Sequence, residues 1–198
     1  MDKITKEELD KLVGIKGEVR GAVFQTDAKN VLAKEGEEGL QKLEKRVKDL
    51  GYDIDYRSGK ATDWHPVGLR IISLLLIKDT FNWSDAEIRE MGKRAPKFSF
   101  LVKFIFKLFA PLGKLIKEIP SDWKEHYTIG EMEVTKFDKE NKEMVLYVKD
   151  FKIDPIFCIY LEGYIERILL FVEQGVKTRE TKCMFRGDPY HEYTSQWK

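Results

Sequence analysis

The chain has 198 residues, 42% of them hydrophobic and 35% charged, with a formal net charge of +1. This is enough apolar matter for a core, while the balanced charge excludes a global basic field that would draw nucleic acid. No run of about eighteen apolar residues occurs, which argues against a membrane-spanning helix, and the polar start MDKITKEELDKL is not a secretion signal.

A cytoplasmic protein is therefore expected, in which the two cysteines do not form a structural disulfide. Asn and Gln are scarce while Lys and Glu are abundant, a composition of the heat-adapted kind.

The elements follow in chain order. Thr5 or Lys6 to Val13 reads as a short helix, and GEVRGAVFQT, Gly17 to Thr26, as strand or turn. Thr26-Asp27 can cap a helix running to about Lys34. A further helix spans Glu37 to Leu50, with Leu40, Leu43, Val47 and Leu50 on one face and Gly51 as its stop. Tyr52 to Asp63 is a polar connector. HPVGLRIISLLLIKDTF reads as a buried helix opened by Pro66. Ser84-Asp85-Ala86-Glu87 begins a helix expected to end before Pro96. The Phe-rich stretch FSFLVKFIFKLFAPLGKL, Phe98 to Leu115, should break at Pro111 and Gly113. A second helix then runs to about Glu118, and Pro120 to His126 forms a short helical or turn piece.

After Tyr127 the period changes from helical to alternating. EMEVTKF and MVLYVKDF flank the polar turn DKENKE and predict a β-hairpin. Asp154-Pro155 caps a helix, PIFCIYLEGYIERILLFVEQ, stopped by Gly175. VKTRETKCMF and EYTSQW form a second hairpin around Gly187-Asp188-Pro189. The expected fold class is α+β, an N-terminal helical layer packed on a C-terminal antiparallel sheet in the order strand, strand, helix, strand, strand. One ligand-binding domain is expected over residues 1–198, mainly helical over 1–126, with the sheet and its helix over 127–198.

Four residues in this tail have the chemistry of a metal centre. Cys183 and His191 lie four residues either side of Gly187, so in a hairpin centred there they face each other on one side of the sheet. Glu180 precedes Cys183 by three, which in a regular strand puts the two on opposite faces. A bulge, or the reach of the Glu side chain, must bring them together. Cys158 sits in the first turns of the preceding helix, where the positive helix end favours a thiolate. Two thiolates, an imidazole and a carboxylate suit a tetrahedral zinc of the structural type. Two buried apolar cysteines with a surface histidine fit the same spacing, and a Cys158–Cys183 disulfide is the third arrangement open at this point.

The run CIYLEGYIERILLFVEQGVKTRETKCMFRGDPYHEY resembles the 4-vinyl-reductase domain family. The family pattern falls on Cys158, Gly163, Glu180, Cys183 and Gly187, and its last cysteine falls on His191, also a good zinc ligand. GEVRGAVFQTDAKNVLAKEGEEGLQKL is similar to the opening of such domains. The fold group includes aromatic-sensing input domains of bacterial activators, small subunits of Golgi tethering (TRAPP) complexes and haem-nitric-oxide-binding domains. The resemblance implies a small hydrophobic ligand held between helices and sheet, a structural zinc beside it, and pairing into a homodimer through the N-terminal helices. It is expected to stop at the sensor part of the activators. The family name implies a reductase, but no nucleotide-binding glycine loop is present, and no positioned acid, base or open metal supports an enzyme. Glu131 and Glu133 share a strand face, as exposed carboxylates of hairpins routinely do.

The resemblance gives the Phe-rich stretch a role. As a helix it is apolar except for a stripe of Lys103, Lys107 and Lys114, so it lines a cavity or is covered nearly all round. Phe100, Phe104, Phe106 and Phe109 are expected to enclose an apolar ligand, with Trp123, Tyr127, Tyr160 and Tyr164 adding polar handles. Plain core packing is the competing reading for any one of them. Contact with a membrane surface is less favoured, because Pro111 shortens the helix. His65 and His126 read as hydrogen-bonded loop or capping residues, and Asp63-Trp64-His65-Pro66 as a candidate pocket mouth. YRSGK, Tyr56 to Lys60, is only faintly similar to the Tyr-x-Ser-x-Arg propionate clamp of haem-nitric-oxide domains and precedes the helices it ought to follow, so haem is set aside. The expected function is non-enzymatic binding or sensing of a small hydrophobic or aromatic molecule. An interaction module of the Golgi-tethering type with a filled pocket, or a haem or tetrapyrrole protein, is the alternative.

Overall fold

The structure, a computed structural model, describes residues 4–98 and 112–198. The first helix, α1 (Lys6–Val13), opens on a capping box in which Thr5 and Glu8 bond each other's backbone N–H. A short strand β1 (Glu18–Arg20) leads into α2 (Ala22–Asp49). Helix α2 starts four residues before the expected Thr26-Asp27 cap, because both side chains are buried inside it. It is interrupted at Gly36, where φ is 72°, a left-handed backbone that glycine adopts freely. Strand β2 (Trp64–Pro66) pairs antiparallel with β1.

Helix α3 (Val67–Phe81) is apolar on every side and runs through the core, with Ile71, Ile72, Leu74, Leu76 and Ile77 all inaccessible. Helix α4 (Asp85–Phe98) continues through Pro96, where a break was expected. A proline in the last turn removes only one N–H bond, and burial of Met91 and Ala95 holds the turn in place. Likewise α5 (Leu112–His126) is one helix across Pro120, where two pieces were expected.

The C-terminal part is α+β, as expected. Strands β3 (Glu131–Asp138) and β4 (Glu143–Lys149) form the first hairpin, α6 (Pro155–Leu169) follows, and β5 (Lys177–Lys182) and β6 (His191–Gln196) form the second. They make one antiparallel sheet in the order β3-β4-β6-β5. Asp154 caps α6 by accepting from the Ile156 N–H at 2.8 Å. The helix ends at Leu169, five residues before Gln174, its expected last residue. Met144, Leu146 and Val148 alternate inward from β4 and Tyr193 from β6, so one face of the sheet is buried under α6.

Helices α4 and α6 cross at backbone contact. A Cβ at Gly163 would stand 2.0 Å from the Arg89 carbonyl oxygen, and one at Gly92 2.0 Å from that of Tyr160. Only glycine permits this approach from either side. The crossing packs the helical layer onto the sheet, and it fixes which face of α6 looks away from the sheet. Among the described residues no helix is long and apolar enough to cross a membrane.

Candidate metal centre and ligand pocket

The candidate metal centre is built from three elements. Glu180 and Thr178 share the inward face of β5, and the register against β6 slips between Glu180 and Lys182. That bulge inserts one residue and returns Cys183 to the face of Glu180 despite their odd spacing. His191 opens β6 and points inward. Cys158 lies in the first turns of α6, next to the Asp154 cap. One ligand atom from each of Cys158, Glu180, Cys183 and His191 lies within 4.8 Å of the other three. A tetrahedral zinc with arms of about 2.0–2.3 Å has edges of about 3.3–3.8 Å, so the cluster needs to contract by only about an ångström. Both cysteines are free thiols.

The surroundings suit a cation. Cys158, Cys183 and His191 are each under 10% exposed. The His191 Nε2–H donates to the Phe151 carbonyl at 3.2 Å, and Nδ1 faces Glu180 Oε1 at 2.9 Å and Cys158 Sγ at 3.6 Å. A backbone carbonyl that holds the far ring nitrogen is the usual support of a ligating imidazole. Burial, reinforced by Glu180 and Cys183, pushes the Cys158 thiol far up. Burial also pushes Glu180 up, but His191, Cys183 and Cys158 together outweigh it and the carboxyl lies below its ordinary value. A divalent ion would reverse the thiol preference by binding thiolate directly.

The residue before Cys158 belongs to a cavity. Phe157, Tyr160, Leu161, Tyr164 and Ile168 recur at helical spacing and form one wall from α6. Trp123, His126 and Tyr127 close it from the end of α5, and Arg70 from α3. The cavity holds about 130 Å³ and its lining is overwhelmingly apolar. Trp123 and Tyr127 stack at 4.5 Å, and Phe151 packs edge-on against both. The same Phe151 holds His191 through its carbonyl, so one residue links the metal ligands to the cavity wall.

Of the pocket residues expected from the sequence, Trp123, Tyr127, Tyr160 and Tyr164 line the cavity. Phe100, Phe104, Phe106 and Phe109 lie outside the described residues. Trp123 is not a polar handle, because its Nε1–H is shared between the Ile129 and Gly130 carbonyls at 3.0 and 3.1 Å. His126 is more than a capping residue: Nδ1–H donates to the Asp122 carbonyl at 2.9 Å while the ring stands in the cavity wall.

Sequence reading missed Arg70 and Asp27. Both are 0% exposed and they form a buried ion pair. Ser73 Oγ also donates to Asp27 Oδ2 at 2.7 Å and accepts from the Tyr56 hydroxyl at 3.0 Å. Tyr56 therefore ends a buried polar chain to Arg70, and Arg57 beside it is bonded to Glu37 and Glu44 on the surface. The YRSGK segment is used in these contacts. A signal for Arg70 was present: it is the one charge in the apolar run from Val67 to Ile77, and a buried charge needs a partner.

No family model matches the chain, and no curated protein matches it. Solved structures do match in fold. An H-NOX protein from S. oneidensis in the Fe(II)NO ligation state is 12% identical, with 90% of this chain and 99% of that one covered and a TM-score of 0.67. An oxygen-binding H-NOX domain related to soluble guanylate cyclases, in its oxygen complex, is 12% identical over 90% of this chain and 95% of that one, with a TM-score of 0.61. A structure solved to examine haem redox potential and porphyrin distortion is 14% identical, covers 90% and 95%, and has a TM-score of 0.63. The fold is thus the one shared with haem-nitric-oxide-binding domains. This finding overturns the setting aside of haem: the described architecture is one that solved structures show with ligated iron.

Proposed function

We propose that this chain is a non-enzymatic small-molecule sensor domain that holds its ligand in the cavity between α3, α5 and α6. We further propose a zinc at Cys158, Glu180, Cys183 and His191, as the likeness to 4-vinyl-reductase domains implies. The observation that carries the reading is the shared use of α6: Cys158 is presented to the metal cluster and Phe157, Tyr160 and Tyr164 to the cavity. A closed four-ligand ion of this type leaves no open position for catalysis. Its part is to fasten the first turns of α6 to β5 and β6, and so to fix the cavity wall. Pairing through the N-terminal helices, where Val13 and Leu32 are exposed at 40% and 38%, belongs to the same proposal; sedimentation tests it.

Haem is an occupant that the fold favours, and the residues present fit it in donor chemistry. His126 would offer Nε2 to hold the iron, its ring oriented by the Nδ1–H bond to the Asp122 carbonyl, and the aromatic residues of the cavity would hold the apolar part of the group. Haem would supply an iron at which a diatomic gas binds. A cavity of about 130 Å³ is smaller than a porphyrin, so this occupant also requires α5 and α6 to part. A single-ring molecule requires no such movement, because an apolar cavity of roughly 150 Å³ takes benzene.

Titration with haemin separates the two occupants. A sharp Soret band at one equivalent, abolished by His126→Ala, supports haem. A broad band unchanged by that variant rejects haem and leaves the single-ring ligand. An interaction module with a permanently filled pocket would bind neither haemin nor a single-ring aromatic.

A further inference from the structure

The guanidinium of Arg70 has an unused edge. Its Nη1 donates to Asp27, while Nε and Nη2, both buried, have no hydrogen-bond partner among the described residues. These two nitrogens lie on the same side of the planar group and project parallel N–H bonds, the arrangement that grips a carboxylate at two points. The Tyr160 ring lies against the guanidinium, 4.6 Å from its carbon, and Arg70 also acts electrostatically on the Tyr160 and Tyr127 hydroxyls. The side chain lines a cavity that is otherwise almost wholly apolar. Unmet donors on a buried charge are costly, and each one in a native structure calls for an explanation, a bound group among them.

We propose that Arg70 is the specificity residue of the cavity and that it reads a carboxylate carried on a flat apolar body. This inference rests on the cavity being the ligand site. The apolar body lies among Trp123, Phe157, Leu161 and Tyr164, and both carboxylate oxygens accept from Nε–H and Nη2–H of Arg70 once the side chains covering these nitrogens give way, since Arg70 is 0% exposed. Asp27 already neutralises the cation, so the guanidinium contributes directed donors more than net charge. A neutral amide of the same shape offers one acceptor oxygen and leaves one N–H unmet.

Two probe pairs test the proposal by calorimetry on the full chain: benzoate against benzamide, and haemin against its dimethyl ester. At least tenfold tighter binding of benzoate assigns the carboxylate to a small aromatic acid. A tenfold preference confined to the haemin pair assigns it to a tetrapyrrole side chain. In either case Arg70→Lys, which keeps the charge beside Asp27 but has no two-point edge, should reduce the preference to about twofold or less. If this variant does not fold, the wild-type pairs decide alone. Equal affinity within each pair overturns the role of Arg70 and leaves the pocket standing. Failure of all four probes to bind overturns the pocket reading as well.

Discussion

Cys183 and His191 reach Glu180 only because β5 carries an extra residue between Glu180 and Lys182. The spacing of the two ligands around Gly187 was visible in the sequence, as was the need for a bulge, but its position was not, since nothing in RETKC distinguishes a bulged strand from a regular one. Cys183→Ser should reduce bound zinc from about one per chain to near zero by elemental analysis, whereas His191→Cys should retain it, because thiolate and imidazole are alternative ligands. Zinc unchanged in Cys183→Ser would contradict the assignment. Asp27 illustrates the opposite limit of sequence reading. Thr-Asp before a helical run looks like a cap, and only the neighbouring helix reveals that the carboxylate is there for Arg70. Removing it with Asp27→Ala leaves a buried cation unpaired and should cost about 3–5 kcal/mol in urea denaturation. A loss under about 1 kcal/mol would show that the pair is not buried as described.

Most helices were legible as periodic runs, and their ends were the weak point. Pro96 and Pro120 read as breaks in the sequence, yet α4 continues through Pro96, where buried Met91 and Ala95 outweigh one missing hydrogen bond, and α5 continues through Pro120. The closeness of α4 and α6 had no sequence signal beyond the glycines themselves. Gly163→Ala forces a methyl against the Arg89 carbonyl and should destabilise by about 1–3 kcal/mol; an unchanged melting temperature would contradict the crossing. The same crossing is tied by Glu166, which Arg89 meets at 2.5 Å, Lys93 at 2.7 Å and the Thr178 N–H at 2.9 Å. Burial pushes this carboxyl up, but Arg89, Lys93 and the Thr178 N–H outweigh it and hold it at about 2. Its folded value is below that of the unfolded chain, so it stabilises the fold above about pH 4.5 and the contribution is lost as pH falls toward 2. Arg89 and Lys93 are 19% and 22% exposed, and with that screening the effect is at most about 2 kcal/mol. Glu166→Gln should lower stability at pH 7 and flatten the acid limb of the stability curve; an acid limb as steep as that of the wild type would refute this.

At the scale of the molecule, the sheet, α6 and the helical layer form one chain of support. The four side chains of the proposed metal site join β5 and β6 to the start of α6, Phe151 passes from His191 to the aromatic wall, and Arg70 faces that wall from the core. Fold class and strand order were legible because alternation and helical period are local properties. The cavity was legible only in part, since Arg70 and His126 enter it through tertiary packing that no local pattern records. Stripping the metal with a strong chelator should lower the melting temperature by many degrees, because metal binding in such centres is coupled to folding, and should weaken probe binding with it.

Native mass spectrometry of the purified chain tests the central claim most directly. The claim requires one zinc ion per chain, and that zinc must persist in the chain that also carries a bound organic molecule. A population at the bare polypeptide mass that still binds the same molecule with the same affinity would contradict it.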